Sequence, residues 1–470
     1  MQKSVLTEIV RSLEKKEIRE LNKWLQSPAH NQRQDVIKLF DFLVKNLPNG
    51  DEGANKEKAW KAVFPSEPYD DAYMRQVMYF LLKAIEEYLV FVEVSSDRVQ
   101  FQIALARIYR SKKIEKAYKQ AHRLATESLS NQPLRNGYFL LQRFLLEQEE
   151  YEHRMSITQN APVNLQETAD ALEKWFLAER FRISNSMLAH RAVFQKAHYE
   201  TGLLNDALEF VAEKDLLSEP AIAVYYYAYM AITNPEEEHY YEQFEHQIHN
   251  STRHFEHAEV RTLYIAALNY CVPKINQGRL DFSRRAFELY RKGTENGYLL
   301  ENSSLSRYTF GNAVAAALKI GEYDWAEKFI DDFKHLLEEK QKESTVNFNL
   351  SRIYFERGDY SKAQELLTRF EYDYFFLNII AKTMLLKIYF ETDEYDAFES
   401  LLESLRTYLQ RKEALDPSRK AAYKNMISLM KKLLQLNIFS KTQREGFREL
   451  VQKTTPLAER DWFMKQLERK

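Results

Sequence analysis

Of the 470 residues, 45% are hydrophobic and 13% aromatic, while glycine and proline contribute only 11 each. Lys and Arg total 67 against 69 Asp and Glu, a formal net charge of -2, so no global field recruits nucleic acid or an anionic membrane. The lone Cys271 excludes an internal disulfide framework and any multi-thiolate metal site built within one chain.

A chain of this length exceeds one ordinary compact core and implies either two or three domains or a stacked array. Abundant core material with little turn punctuation points to an all-α protein. The opening "MQKSVLTEIVRSLEKKE" lacks a continuous apolar run, and no later stretch approaches the roughly 20 apolar residues of a membrane span. A cytoplasmic protein without membrane contact is the expectation.

In chain order, Asn31 and Gln34 have capping-box spacing before the stripe Val36, Leu39, Phe40 and Leu43, which recurs at helical intervals. "PNGDEG" at 48–53 reads as a loop, and a long helix is expected after Asp70 and Asp71, breaking near 95–97. Later helix starts are expected at Asn164 with Glu167, Ser218, Asn234 before Pro235, Asp416 before Pro417, and Thr455 before Pro456. Gly202, Gly278, Gly297, Gly321 and Gly358 read as helix stops, and Pro273 as a kink or an end. The boundaries that follow are an N-terminal helical subdomain over 1–95, a helical repeat array over 96–410, and C-terminal capping helices over 411–470.

The repeat is carried by an echo. "IYFERGDYSKAQELL" at 353–367 returns 35 residues later as "IYFETDEYDAFESLL" at 388–402, and "AAALKIGEYDWAEKFI" at 315–330 fits the same frame through Gly321, Tyr323, Ala326 and Ile330. Each unit reads as a helix, a turn around Gly321, Gly358 or Asp393, and a second helix. So short a hairpin cannot bury its apolar face alone and has to stack on the next copy. Leu350, Ser351, Tyr354, Gly358, Tyr360, Ala363 and Leu367 resemble the tetratricopeptide repeat, solidly over about 305–410 and faintly at "AHYETGLLNDALEFV" and "RIYRSKKIEKAYKQA". Phe398 stands where that family wants a small residue. The whole chain also resembles large bacterial helical-repeat proteins, which implies nothing about function. The fold expected is antiparallel helix-pair repeats stacked as an α-solenoid.

No Rossmann, P-loop, zincin or nucleophile-elbow motif occurs, so neither an enzymatic reaction nor a cofactor is expected. His246 with His249 and His254 with His257 have i,i+3 spacing among glutamates, a pattern that helical metal sites use and that solvated helix ends also show. The tyrosine run at 225–227 reads as core and rim packing, and Cys271 as a buried small residue. Two basic stretches, 107–123 with seven Lys or Arg against one Glu and 419–444 with seven and no acid, are candidate nucleic-acid surfaces. The tetratricopeptide resemblance implies that the first helix of each pair faces a partner. It carries that role onto Tyr308, Thr345, Phe348, Arg352, Phe355, Thr383, Lys387 and Phe390, with Asn312 and Asn349 beside them and Arg352 with Lys387 as a basic ladder. The functional expectation is a non-enzymatic scaffold for an unidentified protein or peptide, with RNA binding as the alternative.

Overall fold

The computed structural model describes residues 4–47, 55–157, 162–368, 375–411, 416–437 and 439–468. The described residues are all-α: helices joined by turns, with one isolated bridge between Glu301 and Ser304. The expected loop at 48–53 lies outside them. Two compact units are present, one of Met1–Tyr226 with Arg253–Phe255, the other of Tyr227–Thr252 with Glu256–Lys470.

The first ten helices are α1 (Val5–Ser12), α2 (Lys15–Gln26), α3 (Gln34–Asn46), α4 (Lys56–Val63), α5 (Asp71–Ser96), α6 (Arg98–Ser111), α7 (Glu115–Asn131), α8 (Gly137–Ile157), α9 (Leu165–Val193) and α10 (Leu204–Glu213). They are followed by α11 (Pro220–Thr233), α12 (Glu238–Ser251), α13 (His257–Asn276), α14 (Leu280–Glu295), α15 (Arg307–Lys319), α16 (Tyr323–Phe333) and α17 (Glu339–Glu356). The last are α18 (Tyr360–Thr368), α19 (Phe375–Glu391), α20 (Tyr395–Arg411), α21 (Pro417–Leu434), α22 (Lys441–Lys453) and α23 (Arg460–Gln466). Helices adjacent in sequence pack together as α6 with α7, α8 with α9, α13 with α14, α15 with α16, α17 with α18 and α19 with α20. In the second unit α15 also touches α17, and α17 touches α19, so first helices of successive pairs meet.

One turn recurs at these hairpins. Lys113, Gly278, Gly321, Gly358 and Asp393 all lie in the left-handed region, with φ of 57°, 86°, 82°, 79° and 60°. The next residue's N–H then donates to a carbonyl five positions back: Ile114 to Tyr109, Arg279 to Lys274, Glu322 to Ala317, Asp359 to Tyr354 and Glu394 to Tyr389, at 2.8–3.1 Å. This is the closure that satisfies the stranded carbonyls of a helix end and reverses the chain. The echo therefore encodes one turn, and the faint unit around Ile114 and Ala117 shares it with Lys113 at the strained position. The echo also sets equivalent rings, Phe355 against Tyr360 at 5.6 Å and Phe390 against Tyr395 at 6.3 Å. Ala363 is fully buried at its crossing, and so is Phe398, whose ring lies 5.9 Å from Phe390 in a cluster with Leu402, Leu405 and Met430.

Several expected boundaries hold. Val36, Leu39, Phe40 and Leu43 are buried, and with Leu21, Leu25, Trp60, Val77, Leu81 and Ile85 they belong to an apolar cluster drawn from residues 6–88. Asp70 caps α5 by accepting from Ala72 and Tyr73, Asp97 caps α6, and Asp416 caps α21 by accepting from Ser418 and Arg419. Other boundaries differ. Asn31 does not cap: its amide donates to the carbonyls of Leu25 and Arg33, bracing the turn, and α3 starts at Gln34. Asn164 stands at the N-cap position of α9 but sends its amide to Glu147. Ser218 precedes α11 without capping it, its hydroxyl donating to Asp215.

Asn234 closes α11 through a backbone bond to Met230, and the Pro235 carbonyl is taken by the Tyr270 hydroxyl, so α12 starts only at Glu238. No helix starts at Thr455 and Pro456, because Arg460 reaches back to the carbonyls of Val451, Gln452 and Thr454 and holds that segment as a loop. Gly202 sits in a turn before α10 rather than at a helix stop, and α13 continues three residues past Pro273.

A non-glycine residue in the left-handed region is strained, whereas glycine there is not. Lys113→Gly is expected to stabilise the first unit by about 0.5–1 kcal/mol, and Gly358→Ala to destabilise the second by about 1 kcal/mol or more. Urea unfolding of the full chain measures both; unchanged midpoints would show that the turn tolerates any residue.

Candidate functional site

The residues singled out on first helices come from α15, α17 and α19. Tyr308 is exposed, with the Arg307 guanidinium 5.0 Å from its ring. Asn312 is exposed and hydrogen-bonds the phenol of Tyr290, whose burial pushes its pKa up to about 12. Asn349 is fully buried: its amide donates to the Thr345 carbonyl at 2.8 Å, and its oxygen accepts from Arg352 at 3.4 Å. Asn349 therefore positions Arg352 instead of offering a free contact. Thr345, Phe348 and Thr383 are buried as well.

Arg352 is half-buried. One guanidinium nitrogen donates to the Gly311 carbonyl of α15 at 3.1 Å, and the group lies 5.8 Å from the Phe348 ring centre. Among the described residues, no carboxylate comes within the 4.0 Å of an ion pair. Removal from water is what lowers its pKa, to about 10, with the more distant Glu356 and Glu459 charges acting the other way. It stays a cation at neutral pH, poorly solvated and unneutralised.

Lys387 is handled differently. Its ammonium lies 4.9 Å from the Phe355 ring centre and 2.8 Å from a carboxylate oxygen of Glu459. Phe390 receives the edge of Trp462 at 5.5 Å. The Trp462 indole and the Gln466 amide both donate to Glu391 Oε1, at 3.1 and 2.6 Å. Phe463 and Leu467 anchor this segment in the apolar cluster. The C-terminal segment thus covers the Lys387 and Phe390 part of the face, whereas Tyr308 is exposed and Arg352 keeps part of its surface in solvent. Glu459, Glu391 and Gln466 were not among the candidates: Lys387 and Glu459 are 72 residues apart, and no local pattern links them.

The histidines scatter. His246 is exposed, and His249 is half-buried with its pKa lowered by burial and then by Lys292. His257 pairs with the Gly297 carbonyl at 2.7 Å, and His254 sits beside Arg253 at 3.2 Å. Among the described residues no three His, Cys, Asp or Glu converge to hold a metal. Cys271 is buried against the Tyr241 hydroxyl at 2.9 Å, and burial pushes its thiol up to about 12, which leaves it unreactive. The run at 225–227 packs inward through Tyr225 and Tyr226.

The basic stretches are partly neutralised. Arg110 makes two bonds to the buried Glu149, joined by Arg107; Lys119 pairs with Glu115 and Arg123 with Glu127. Lys112, Lys113 and Lys116 are exposed and have no ion-pair partner among the described residues. In the second stretch Lys431 meets Glu403 and Lys441 meets Glu445. A cleft of about 560 Å³ beside α7 and α8 holds Tyr118, with the His153 ring stacked on it at 3.5 Å, and His122. Its cations Lys119, Arg123 and Arg154 are each paired with a glutamate.

Comparison with known proteins gives no family: no protein-family model, no curated protein and no solved structure matches the chain. No described helix is long and apolar enough to cross a membrane.

Three outcomes are expected here. Phe463→Ala, at a fully buried ring, costs roughly 3–5 kcal/mol in equilibrium unfolding. Prolonged chelation leaves the melting temperature unchanged, as calorimetry before and after dialysis will show. His153 is nine-tenths buried, and burial lowers its pKa despite the opposing pull of Glu115. Below the usual imidazole pKa of about 6.5 the unfolded chain then holds more protons, so this group's contribution to stability falls as pH drops toward 5. His153→Gln should flatten that part of the pH profile of the first unit; an unaltered slope would exclude His153 as its source.

Proposed function

We propose that this chain is a non-enzymatic scaffold of tetratricopeptide-like helix pairs stacked as an α-solenoid, binding a protein or peptide along the face of α15 and α17. The observation that carries the reading is Arg352, a half-buried guanidinium held by Gly311 and Asn349 and without a carboxylate partner among the described residues. A partner's carboxylate supplies the close counter-charge and the hydrogen bonds that the described residues do not, which favours association. The exposed Tyr308 adds aromatic contact area on α15. Lys387 and Phe390 then act from beneath the C-terminal segment, shaping the end of the surface.

The alternative, RNA binding through the basic helices, has less support. Arg107, Arg110, Lys119 and Arg123 already meet glutamates, and the exposed Lys112, Lys113 and Lys116 make only a short cluster.

Affinity purification from the native host at near-physiological salt, with one half nuclease-treated, separates the two readings. A protein partner that survives nuclease supports the scaffold; enriched nucleic acid, with proteins lost on digestion, favours the alternative. With that partner, Arg352→Glu should weaken binding by about tenfold or more, with helicity and melting temperature retained, and Arg352→Lys should recover part of the loss. Unchanged binding by Arg352→Glu would remove the α15–α17 face from the interaction.

A further inference from the structure

The first unit carries an unpartnered feature independent of that face. Helix α9 buries Ala171, Leu177, Ala178, Phe181 and Ser184 on one side. On the opposite side Leu165, Leu172, Phe176 and Ile183 are 54%, 43%, 40% and 41% exposed. Their spacings of seven, four and seven place them within about 40° of one another around the helix, in a line about 27 Å long. That alternation is the pattern of a seam that receives a second helix.

The charges beside the seam say which helix. Glu173 and Arg180 lie on the same flank, seven residues apart. Glu173 has no ion-pair or hydrogen-bond partner among the described residues, and Arg180 donates only to the Thr201 carbonyl. The other charges nearby are satisfied, Lys174 by Glu219 and Glu179 by Arg182.

We propose that α9 is a self-association seam, in which two copies of this chain pair their α9 helices antiparallel about a two-fold axis. In that register Leu172 of one copy lies level with Ile183 of the other, and Glu173 faces Arg180 on the same flank, two residues or about 3 Å from level, twice per dimer. A parallel pair would set Glu173 and Arg180 against Thr168 and Trp175 and leave all four charges unanswered. Glu179 interrupts the seam at its middle, and one helix pair of this length buries less than the roughly 1,200 Å² of a standard interface, so the dimer is a reversible one.

The test is sedimentation of the full chain over roughly 1–100 µM, with circular dichroism as the folding control. A concentration-dependent dimer is expected, weakened about tenfold or more by Phe176→Glu. Glu173→Arg alone places like charges together twice and should weaken the dimer by about tenfold, while the double exchange Glu173→Arg with Arg180→Glu restores it to within a few-fold. Cysteine cross-linking fixes the direction: chains carrying only Leu172→Cys and chains carrying only Ile183→Cys should not link among themselves, but a mixture of the two should. A chain that stays monomeric throughout, a dimer indifferent to Phe176→Glu, an exchange that fails to restore association, or links formed by Leu172→Cys alone would each overturn the proposal.

Discussion

The hairpins of this protein depend on one backbone hydrogen bond, made from the residue after a left-handed position to the carbonyl five residues earlier. Taken alone such a bond contributes only about 1 kcal/mol. Its larger effect is geometric, because it stops one helix and sends the next back along it, so that two apolar stripes meet. In the second unit the turns at Gly321, Gly358 and Asp393 set successive first helices side by side. That arrangement brings Arg352 of α17 to the Gly311 carbonyl of α15, and Lys387 of α19 to the Phe355 ring of α17.

Charge follows a second regularity. The near-zero balance of the chain is reached locally, by ion pairs between helices one or two places apart in the chain: Arg110 with Glu149, Arg279 with Glu238, Arg285 with Glu242 and Glu245, Arg357 with Asp324 and Glu327. Where pairing is this general, a cation that lacks it stands out more than any count of lysines along the chain does. A basic run of sequence and a basic surface are different things, since a helix distributes consecutive residues around its axis and hands many of them to acids on its neighbours.

Much of the fold was legible because its signals are local. The aspartates at 70 and 416 cap as a short carboxylate before a helix should, and Gly278, Gly297, Gly321 and Gly358 each follow a helix in the left-handed conformation. Polar side chains with a competing use were misread. Asn31 spends its amide on the nearby carbonyls of Leu25 and Arg33, Asn164 on that of Glu147, and Thr455 with Pro456 lies in a loop held by Arg460. The site was only half legible. Helical phase and the repeat frame brought out Arg352, Phe355, Lys387 and Phe390, but nothing in the spacing told that Glu459 and Trp462 return to cover two of them, or that Asn349 turns inward.

The return of Glu459 to Lys387 also gives the protein a clock. At the roughly 5–20 residues per second of synthesis, the 72 residues between them take about 4 to 15 s to emerge. Throughout that interval the Lys387 ammonium lacks its carboxylate and the Phe390 ring lacks the Trp462 edge. A chain halted before residue 459 never gains that cover, so it differs from one that has passed it in a patch that a chaperone or protease can recognise.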